Sequence, residues 1–270
     1  DFGASNTPGG DFRFIDLFAG IGGISVECAV DAPLEDEIAG GRHDAAPGPL
    51  EEQVDAYGNV THTLVLNKPH SEIEIRVTGQ IEIDPLQNGQ IHGGEESRLP
   101  LHAYCVPTRL TQSDETIARF CRDAVPGGLT RPADVMALAE AICDRVAYEP
   151  GITDVTTAAG EVLALGHGVC QDHVHLFLAC VRGLGVPGRY VSGYYYTAGD
   201  VAASHAWADV WLPEAGWTSL DITNRAFASD RHCRLAVARD YDSASPVRGV
   251  RNGGGEESMS VSVQIDVRQQ

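Results

Sequence analysis

Three residues of this 270-residue chain have the chemistry of a nucleophilic site: Cys170, His205 and Asp221. A thiolate nucleophile needs a base or ion-pair partner, and that base needs a group that orients it. His205 and Asp221 follow the cysteine by 35 and 51 residues, so only the fold can bring the three together. The residue types therefore predict a cysteine nucleophile with an imidazole base and a carboxylate orienter.

Cys170 lies in the segment Gly166-His-Gly-Val-Cys-Gln-Asp172, where a glycine-flanked loop leads into an apolar run. The pattern predicts a helix from about Cys170 to Arg182, stopped by the glycines and proline at 183, 185 and 187. Unpaired N–H groups and the helix dipole favour a negative charge at a helix N-terminus. The position therefore favours the thiolate form of Cys170.

His205 lies in the alternating segment Ser204–Trp211, which predicts a strand with His205 and Trp207 on one face. A tight turn at 212–216 joins it to the strand that carries Asp221. Antiparallel pairing of these strands sets the Asp221 carboxylate beside His205, where it can fix the imidazole tautomer.

The elements that position these residues follow the order strands, helices, strands. Alternation at 73–83 after a turn at 55–59 predicts an antiparallel β unit. Two helices precede the Cys170 helix, one capped by Ser113 and one that begins near Pro132. Further strands are predicted at 190–196, 204–211, 217–222 and 259–267. This order predicts an α+β fold with helices packed on an antiparallel sheet, rather than a doubly wound sheet.

The composition indicates a chain that buries a core and carries a strong negative charge. Apolar residues make up 43% of the chain, and 38 acidic residues against 19 basic ones give a net charge of −19. That charge argues against nucleic acid as a general partner. We find no apolar run of membrane-spanning length and no export signal. Seven irregularly spaced cysteines suit a reducing compartment, so a cytoplasmic protein without a membrane anchor is expected. The sequence sets no oligomeric state.

The motifs around these residues resemble the transglutaminase-like superfamily, in particular its bacterial members described as candidate cysteine proteases. The similarity runs through residues 168–172, 185–194, 204–207, 216–224 and 240–249, and backward to 55–59 and 107–109. It implies a papain-like transglutaminase core preceded by a β-rich domain. The implied division is a tail and segment of uncertain origin at 1–48, a β-rich domain at 49–110, and a catalytic core with a C-terminal strand at 111–270.

The resemblance also implies roles, with Cys170 as nucleophile, His205 as base and acid, and Asp221 as orienter of the imidazole. The implied reaction is acyl transfer on a peptide or protein amide, and it requires no cofactor. The residues expected to bind substrate, stabilise the oxyanion or support the site are Gln171, Trp207, Tyr194, Asp172 and His175. Ile222 departs from the proline usual in the family, which changes the rigidity of the strand end and leaves the carboxylate in place.

The same three residues serve two reactions. Water as second nucleophile gives a peptidase or amidase, which we expect, and a lysine amine gives a crosslinking enzyme. A catalytically silent binding or scaffold module is the alternative, because a fold does not prove activity. His173 stands at helical spacing from Cys170, yet a second pair of metal ligands is missing from the pattern, so no metal is expected.

Residues 12–23 carry a separate resemblance, to the first strand and S-adenosylmethionine loop of cytosine-C5 DNA methyltransferases. Such a loop requires a strand before it and a helix after it. Here a helix from Ile24 would meet Pro33 within about ten residues, and the chain has no Pro-Cys dipeptide to supply that family's nucleophile. We therefore expect no methyltransferase activity.

Overall fold

The computed structural model describes residues 12–18, 24–31, 51–66, 72–79, 83, 86–91, 97–197, 201–251, 261 and 263. The chain forms two compact units, residues 1–82 with 245–261 and residues 83–244 with 262–270. Apart from 12–18 and 24–31, the predicted tail and segment at 1–48 lies outside the described residues, as does nearly all of the predicted strand at 259–267.

The described residues contain strands and helices in the following order. The strands are β1 (Phe12–Phe18), β2 (Ile24–Asp31), β3 (Glu51–Val54), β4 (Val60–Leu64), β5 (Glu72–Gly79), β6 (Ala147–Tyr148), β7 (His167–Gly168), β8 (Gly188–Thr197), β9 (Val201–Leu212), β10 (Gly216–Asp221), β11 (Ala226–Phe227), β12 (His232–Ala238) and β13 (Val247–Arg251). The α-helices are α1 (Glu115–Ala124), α2 (Pro132–Arg145), α3 (Ala159–Leu165), α4 (Cys170–Gly183) and α5 (Tyr241–Ala244).

The first unit contains an antiparallel sheet of order β13-β1-β4-β3 and a separate pair of strands, β2 and β5. The predicted turn at 55–59 joins β3 to β4. Its Asp55 Oδ1 accepts the backbone N–H groups of Tyr57 and Asn59 at 2.8 and 2.9 Å. Gly58 has a φ of 90°, which glycine adopts without a steric cost. The predicted hairpin at this turn is therefore present, whereas the strand predicted at 73–83 is β5, which pairs with β2 and not with β3 or β4.

Strand β2 occupies the place where the methyltransferase resemblance requires a helix. It pairs with β5 in antiparallel register from Ile24 opposite Gly79 to Asp31 opposite Glu72. The glycine loop itself, at 19–23, lies outside the described residues. The strand-loop-helix context of an S-adenosylmethionine loop is therefore not formed, because the segment after the loop is a strand.

The second unit is built around α4 and an antiparallel sheet of order β11-β10-β9-β8-β12. Residues Gln171–Arg182 of α4 are all buried, and the helix contacts β8, β9, α1, α2 and α3. A helix that is covered on all sides is a core helix rather than an amphipathic surface helix. The predicted α+β class, with helices packed on an antiparallel sheet, is confirmed.

Arg182 fixes the C-terminal end of α4. The residue is 6% exposed. Its guanidinium group donates hydrogen bonds to the carbonyl oxygens of Tyr104 (3.1 Å), Gly188 (2.8 Å) and Arg239 (2.6 Å). It also donates to Thr111 Oγ1 at 2.6 Å. A buried charge is tolerated when its hydrogen-bonding groups are satisfied. Arg182 therefore ties α4 to the segment before α1, to β8 and to the residue after β12.

Several boundaries differ from the sequence prediction. The cap of α1 is Asp114 rather than Ser113, since Asp114 Oδ1 accepts the N–H of Ile117 at 2.8 Å. Helix α3 and strand β12 were not predicted. The second unit also takes in residues 83–110, which precede the predicted start of the catalytic core at 111. Within the described ranges, no helix has the length and hydropathy required to cross a bilayer.

Candidate active site

Cys170 is the first residue of α4 and is half-buried. Asp172 caps this helix end, because its Oδ2 accepts the N–H of Val169 at 2.8 Å and the hydroxyl of Thr153 at 2.6 Å. A Cβ at Gly168 would lie 2.7 Å from that same carboxylate oxygen, so the approach to the helix needs glycine there. The local sequence therefore delivers the thiol to the N-terminus of a buried helix, as predicted.

His205 and Asp221 lie on neighbouring strands of the sheet. His205 Nε2 donates to Asp221 Oδ2 at 2.8 Å, and the two side chains are 10% and 0% exposed. Asn224, in the turn after β10, adds its backbone N–H to Oδ1 at 3.1 Å and its amide to Oδ2 at 2.7 Å. The hairpin of β9 and β10 thus places the carboxylate beside the imidazole. The hydrogen bond to Asp221 holds the ring with Nε2 toward the carboxylate.

Cys170 is the second partner of the His205 ring. Burial lowers the pKa of His205, but hydrogen bonds and negative charge from Asp221 and Cys170 outweigh burial and raise the pKa to about 10. Burial likewise acts to raise the pKa of Asp221, but hydrogen bonds from His205, His232 and Asn224 hold it below its usual range. Since Nε2 faces Asp221, Nδ1 is the ring nitrogen left for the thiol. Sulfur, imidazole and carboxylate are therefore in contact in that order.

His232 is a fourth member of the cluster that sequence reasoning did not identify. Its Nε2 lies 3.0 Å from Asp221 Oδ2, and its side chain is 5% exposed. The residue begins β12, which pairs with β8 so that His232 lies opposite Tyr195. The short run at 232–238, apolar except for His232 and Arg234, was the signal that could have revealed this strand, and with it a second histidine on the sheet.

The five other residues singled out from the sequence occupy different surroundings. Trp207 is 1% exposed, stacks on His205 with ring centroids 6.2 Å apart, and packs in a cluster with Val191, Ala228 and Val237. Tyr194 is half-buried on β8, and burial raises its pKa. Trp207 thus forms a packed wall beside His205, and its substrate role and that of Tyr194 stay predictions.

The remaining three predicted residues belong to α4 itself. Gln171 directly follows Cys170 and is 9% exposed. Asp172 forms the cap described above, and its Oδ1 is buried without a hydrogen-bond partner among the described residues. His175 is fully buried, and its Nε2 accepts the N–H of Tyr241 at 3.2 Å. Asp172 therefore caps α4 and His175 links α4 to Tyr241, while a supporting role for His175 and an oxyanion role for Gln171 stay predictions.

The polar cluster His205, Asp221 and His232 has its potential ligand atoms within 4.8 Å of one another, a spacing that could hold a metal ion. The hydrogen-bond pattern argues against this use. The backbone N–H of Ser229 donates to His232 Nδ1 at 3.0 Å, so Nδ1 is an acceptor and the ring proton is on Nε2. A metal at Nε2 would force that proton onto Nδ1, against the Ser229 N–H. The hydrogen bonds of His232 are therefore those of a proton donor to Asp221 rather than those of a metal ligand.

Gly193 provides the space for Trp207 beside His205. It lies opposite His205 in the pairing of β8 with β9. A Cβ at this position would overlap the backbone oxygen of Cys233 and lie 2.6 Å from the Trp207 ring. We expect Gly193→Ala to lower the free energy of unfolding by about 1–3 kcal/mol and to lower activity, because overpacking displaces the wall of the site.

Urea unfolding followed by tryptophan fluorescence measures this effect. Gly127→Ala is the matched control, since a Cβ there meets no atom within 4 Å. The control should stay within about 0.5 kcal/mol of the wild type. Equal stabilities of the two variants would contradict the predicted clash.

The chain matches one superfamily model and is similar to uncharacterised mycobacterial proteins. A family model described as the transglutaminase-like superfamily matches residues 119–222, a range that includes Cys170, His205 and Asp221. An uncharacterised protein of Mycobacterium leprae is 29% identical over 225 residues, 78% of this chain and 80% of that protein. An uncharacterised protein of Mycobacterium tuberculosis is 31% identical over 252 residues, 83% of this chain and 79% of that protein.

A solved structure gives the same result for the fold. The crystal structure of a Cytophaga hutchinsonii protein, described as a candidate cysteine protease, aligns with a TM-score of 0.62. The alignment covers 98% of this chain and 95% of that chain at 17% identity. At that identity the similarity concerns the fold alone.

Proposed function

This chain belongs to the transglutaminase-like superfamily, and from this premise we propose that it is a cysteine-dependent acyl-transfer enzyme acting on peptide or protein amides. The observation that carries the proposal is the contact sequence from Cys170 through His205 to Asp221. It supports Cys170 as nucleophile, His205 as proton carrier and Asp221 as orienter.

The geometry supports a two-step reaction. The Cys170 thiolate attacks the amide carbonyl carbon, a carbon–sulfur bond forms, and the carbonyl electron pair moves onto oxygen. As the carbon–nitrogen bond breaks, His205 gives its proton to the departing amine. A second nucleophile, deprotonated by His205, then attacks the thioester and releases Cys170. Asp221 holds the imidazole in one tautomer and stabilises its protonated form throughout.

The first turn of α4 offers donors for the oxyanion. N–H groups in the first turn of a helix lack partners within the helix, and Cys170 and Gln171 are its first two residues. Their position beside the sulfur supports the assignment of the Cys170 N–H as one donor. This part of the site needs no metal and no cofactor.

Hydrolysis is the reaction we propose, with water as second nucleophile. The test incubates the full chain with a library of peptide amides, with and without a primary amine, and identifies products by mass spectrometry. Acid products that persist in the presence of amine support a peptidase or amidase, whereas amine adducts support crosslinking. Absence of turnover, together with Cys170 alkylation that is unaffected by His205→Ala, would favour a silent scaffold instead.

The raised pKa of His205 predicts the pH dependence of the reaction. The imidazole must carry a proton to protonate the amine, and it keeps that proton until the pH approaches its pKa of about 10. We therefore expect the alkaline limb of kcat/KM near pH 10, well above the value of about 6.5 for a free imidazole.

The measurement is a pH–rate profile with an amide substrate. An activated ester, whose leaving group needs no proton, is the control and should keep its rate at the highest pH. An alkaline limb close to neutral pH for the amide would show that His205 is not held in its protonated form.

A further inference from the structure

The buried carboxylate of Asp221 has a second imidazole among its donors. Its Oδ2 accepts from His205 Nε2 at 2.8 Å, from Asn224 Nδ2 at 2.7 Å and from His232 Nε2 at 3.0 Å. The first of these contacts belongs to the reaction proposed above. The contact with His232 comes from a different strand, β12, and His232 transfers no proton in that reaction.

The protonation state of His232 follows from its other nitrogen. The backbone N–H of Ser229 donates to His232 Nδ1 at 3.0 Å. The backbone N–H of His232 donates in return to the carbonyl oxygen of Ser229 at 3.1 Å. A ring nitrogen that accepts a hydrogen bond carries no proton, so the ring is neutral with its proton on Nε2. His232 is therefore a fixed, uncharged donor to the carboxylate.

Packing holds the His232 ring in this orientation. Its ring centroid lies 4.9 Å from that of Tyr195 and 5.1 Å from that of Trp207, and its side chain is 5% exposed. The Ser229 N–H in the short turn at 229–232 holds the Nδ1 side of the ring by a hydrogen bond, and the two aromatic side chains pack against the ring. The Nε2–H is thus aimed at Asp221 before any substrate arrives.

We propose that His232 is a positioning residue, a neutral hydrogen-bond donor that keeps the Asp221 carboxylate ionised and directed at His205. The inference rests on the proposed function, because its effect is read through Cys170 and His205. A carboxylate removed from water needs hydrogen-bond donors to stay charged. Three donors that converge on Oδ2 also hold the Asp221 carboxylate in one orientation.

The groups near Asp221 come from several elements of the second unit. Among the described residues, those that bond to it or share its electrostatic field are His205 on β9, His232 on β12, Asn224 after β10, Cys143 on α2 and His173 on α4. Of these, His205 and His232 are the imidazoles that donate to the carboxylate. Replacement of His232 therefore removes one donor and no charge.

The test compares two variants of the full chain. His232→Phe keeps an aromatic ring and removes the donor, whereas His232→Gln keeps an N–H near the position of Nε2. We expect the Phe variant to lose roughly 10- to 100-fold in the maximal rate of Cys170 alkylation by iodoacetamide and in kcat/KM. The acid limb of its pH–rate profile should move up by roughly one pH unit, because Asp221 then takes up a proton more readily.

The Gln variant separates donation from structure. It should keep the acid limb of the wild type and stay within about threefold of its rate, because the donor is retained. A Phe variant with the wild-type pH profile would overturn the inference, and so would a Gln variant as impaired as the Phe variant.

Nitrogen NMR of the wild-type protein tests the tautomer without any substitution. With 15N-labelled histidine, His232 should show a protonated Nε2 and an unprotonated Nδ1 over the active pH range. A proton on Nδ1 would overturn the inference and would suit a metal ligand instead.

His205→Ala distinguishes the inference from the proposed function. If that variant leaves the alkylation profile of Cys170 unchanged, the proposed function fails. If it changes the profile while His232→Phe does not, the function stands and the role of His232 is refuted.

Discussion

Cys170→Ala is expected to abolish acyl transfer, lowering kcat/KM by roughly 10⁴-fold or more, because no other group at the helix N-terminus can form the thioester. Alanine is the best helix former and Cys170 is half-buried at the first helical position, so the fold should persist. Steady-state assays with a peptide amide measure the loss, and circular dichroism verifies that the variant is folded.

Cys105→Ala is the matched control for this substitution. Cys105 is also half-buried, and its thiol donates to the carbonyl of Gly185, just beyond the C-terminal end of α4. That end is about 20 Å from Cys170, given 14 residues at 1.5 Å each. Burial raises the pKa of the Cys105 thiol, so it should be the less reactive of the two. Activity that survives Cys170→Ala, or that disappears with Cys105→Ala, would refute the assignment of the nucleophile.

Asp221→Asn is the second substitution with a large expected effect, a loss of roughly 10³- to 10⁴-fold in kcat. The asparagine amide brings its own N–H groups into a position surrounded by donors from His205, His232 and Asn224. His205 then loses both its counter-charge and the acceptor that fixes its tautomer. The alkaline limb of the pH–rate profile should move down toward the value of a free imidazole.

Asp209→Asn serves as the control for a buried carboxylate. Asp209 lies on β9 and is fully buried, but it is held by Arg189 at 2.8 Å and Arg234 at 2.6 Å. Its substitution should lower the free energy of unfolding by about 3 kcal/mol, because the buried Arg189 and the half-buried Arg234 lose their charged partner. The shape of the pH–rate profile should not change. A similar shift of the alkaline limb in both variants would mean that Asp221 acts through stability rather than on His205.

The sequence predicted the three central residues because each has a local signal. Cys170 follows a glycine-flanked loop at a helix start, His205 lies on an alternating strand, and Asp221 ends the next strand of a hairpin. The α+β class followed from the same periodicities and is confirmed. Short-range rules were sufficient for His205 and Asp221 because one hairpin joins them, whereas Cys170 meets His205 through the long-range packing of α4 on β9.

The remaining parts of the site depend on contacts that no local pattern specifies. His232 reaches Asp221 because β12 pairs with β8 on the far side of the sheet, away from β10. The sequence predicts that Trp207 binds substrate or stabilises the oxyanion, and no local pattern specifies the long-range packing that leaves it 1% exposed. Helix α3, with seven residues, is too short for a clear helical period.

The proposed nucleophile is mounted on a helix that is secured at both ends. Asp172 closes the turn that carries Cys170, and Arg182 binds four different groups at the opposite end. The entropy of placing the sulfur is thus lost once, during folding, and not again in each turnover. Substrate would therefore meet a preorganised thiol, and its entry and release need not displace α4.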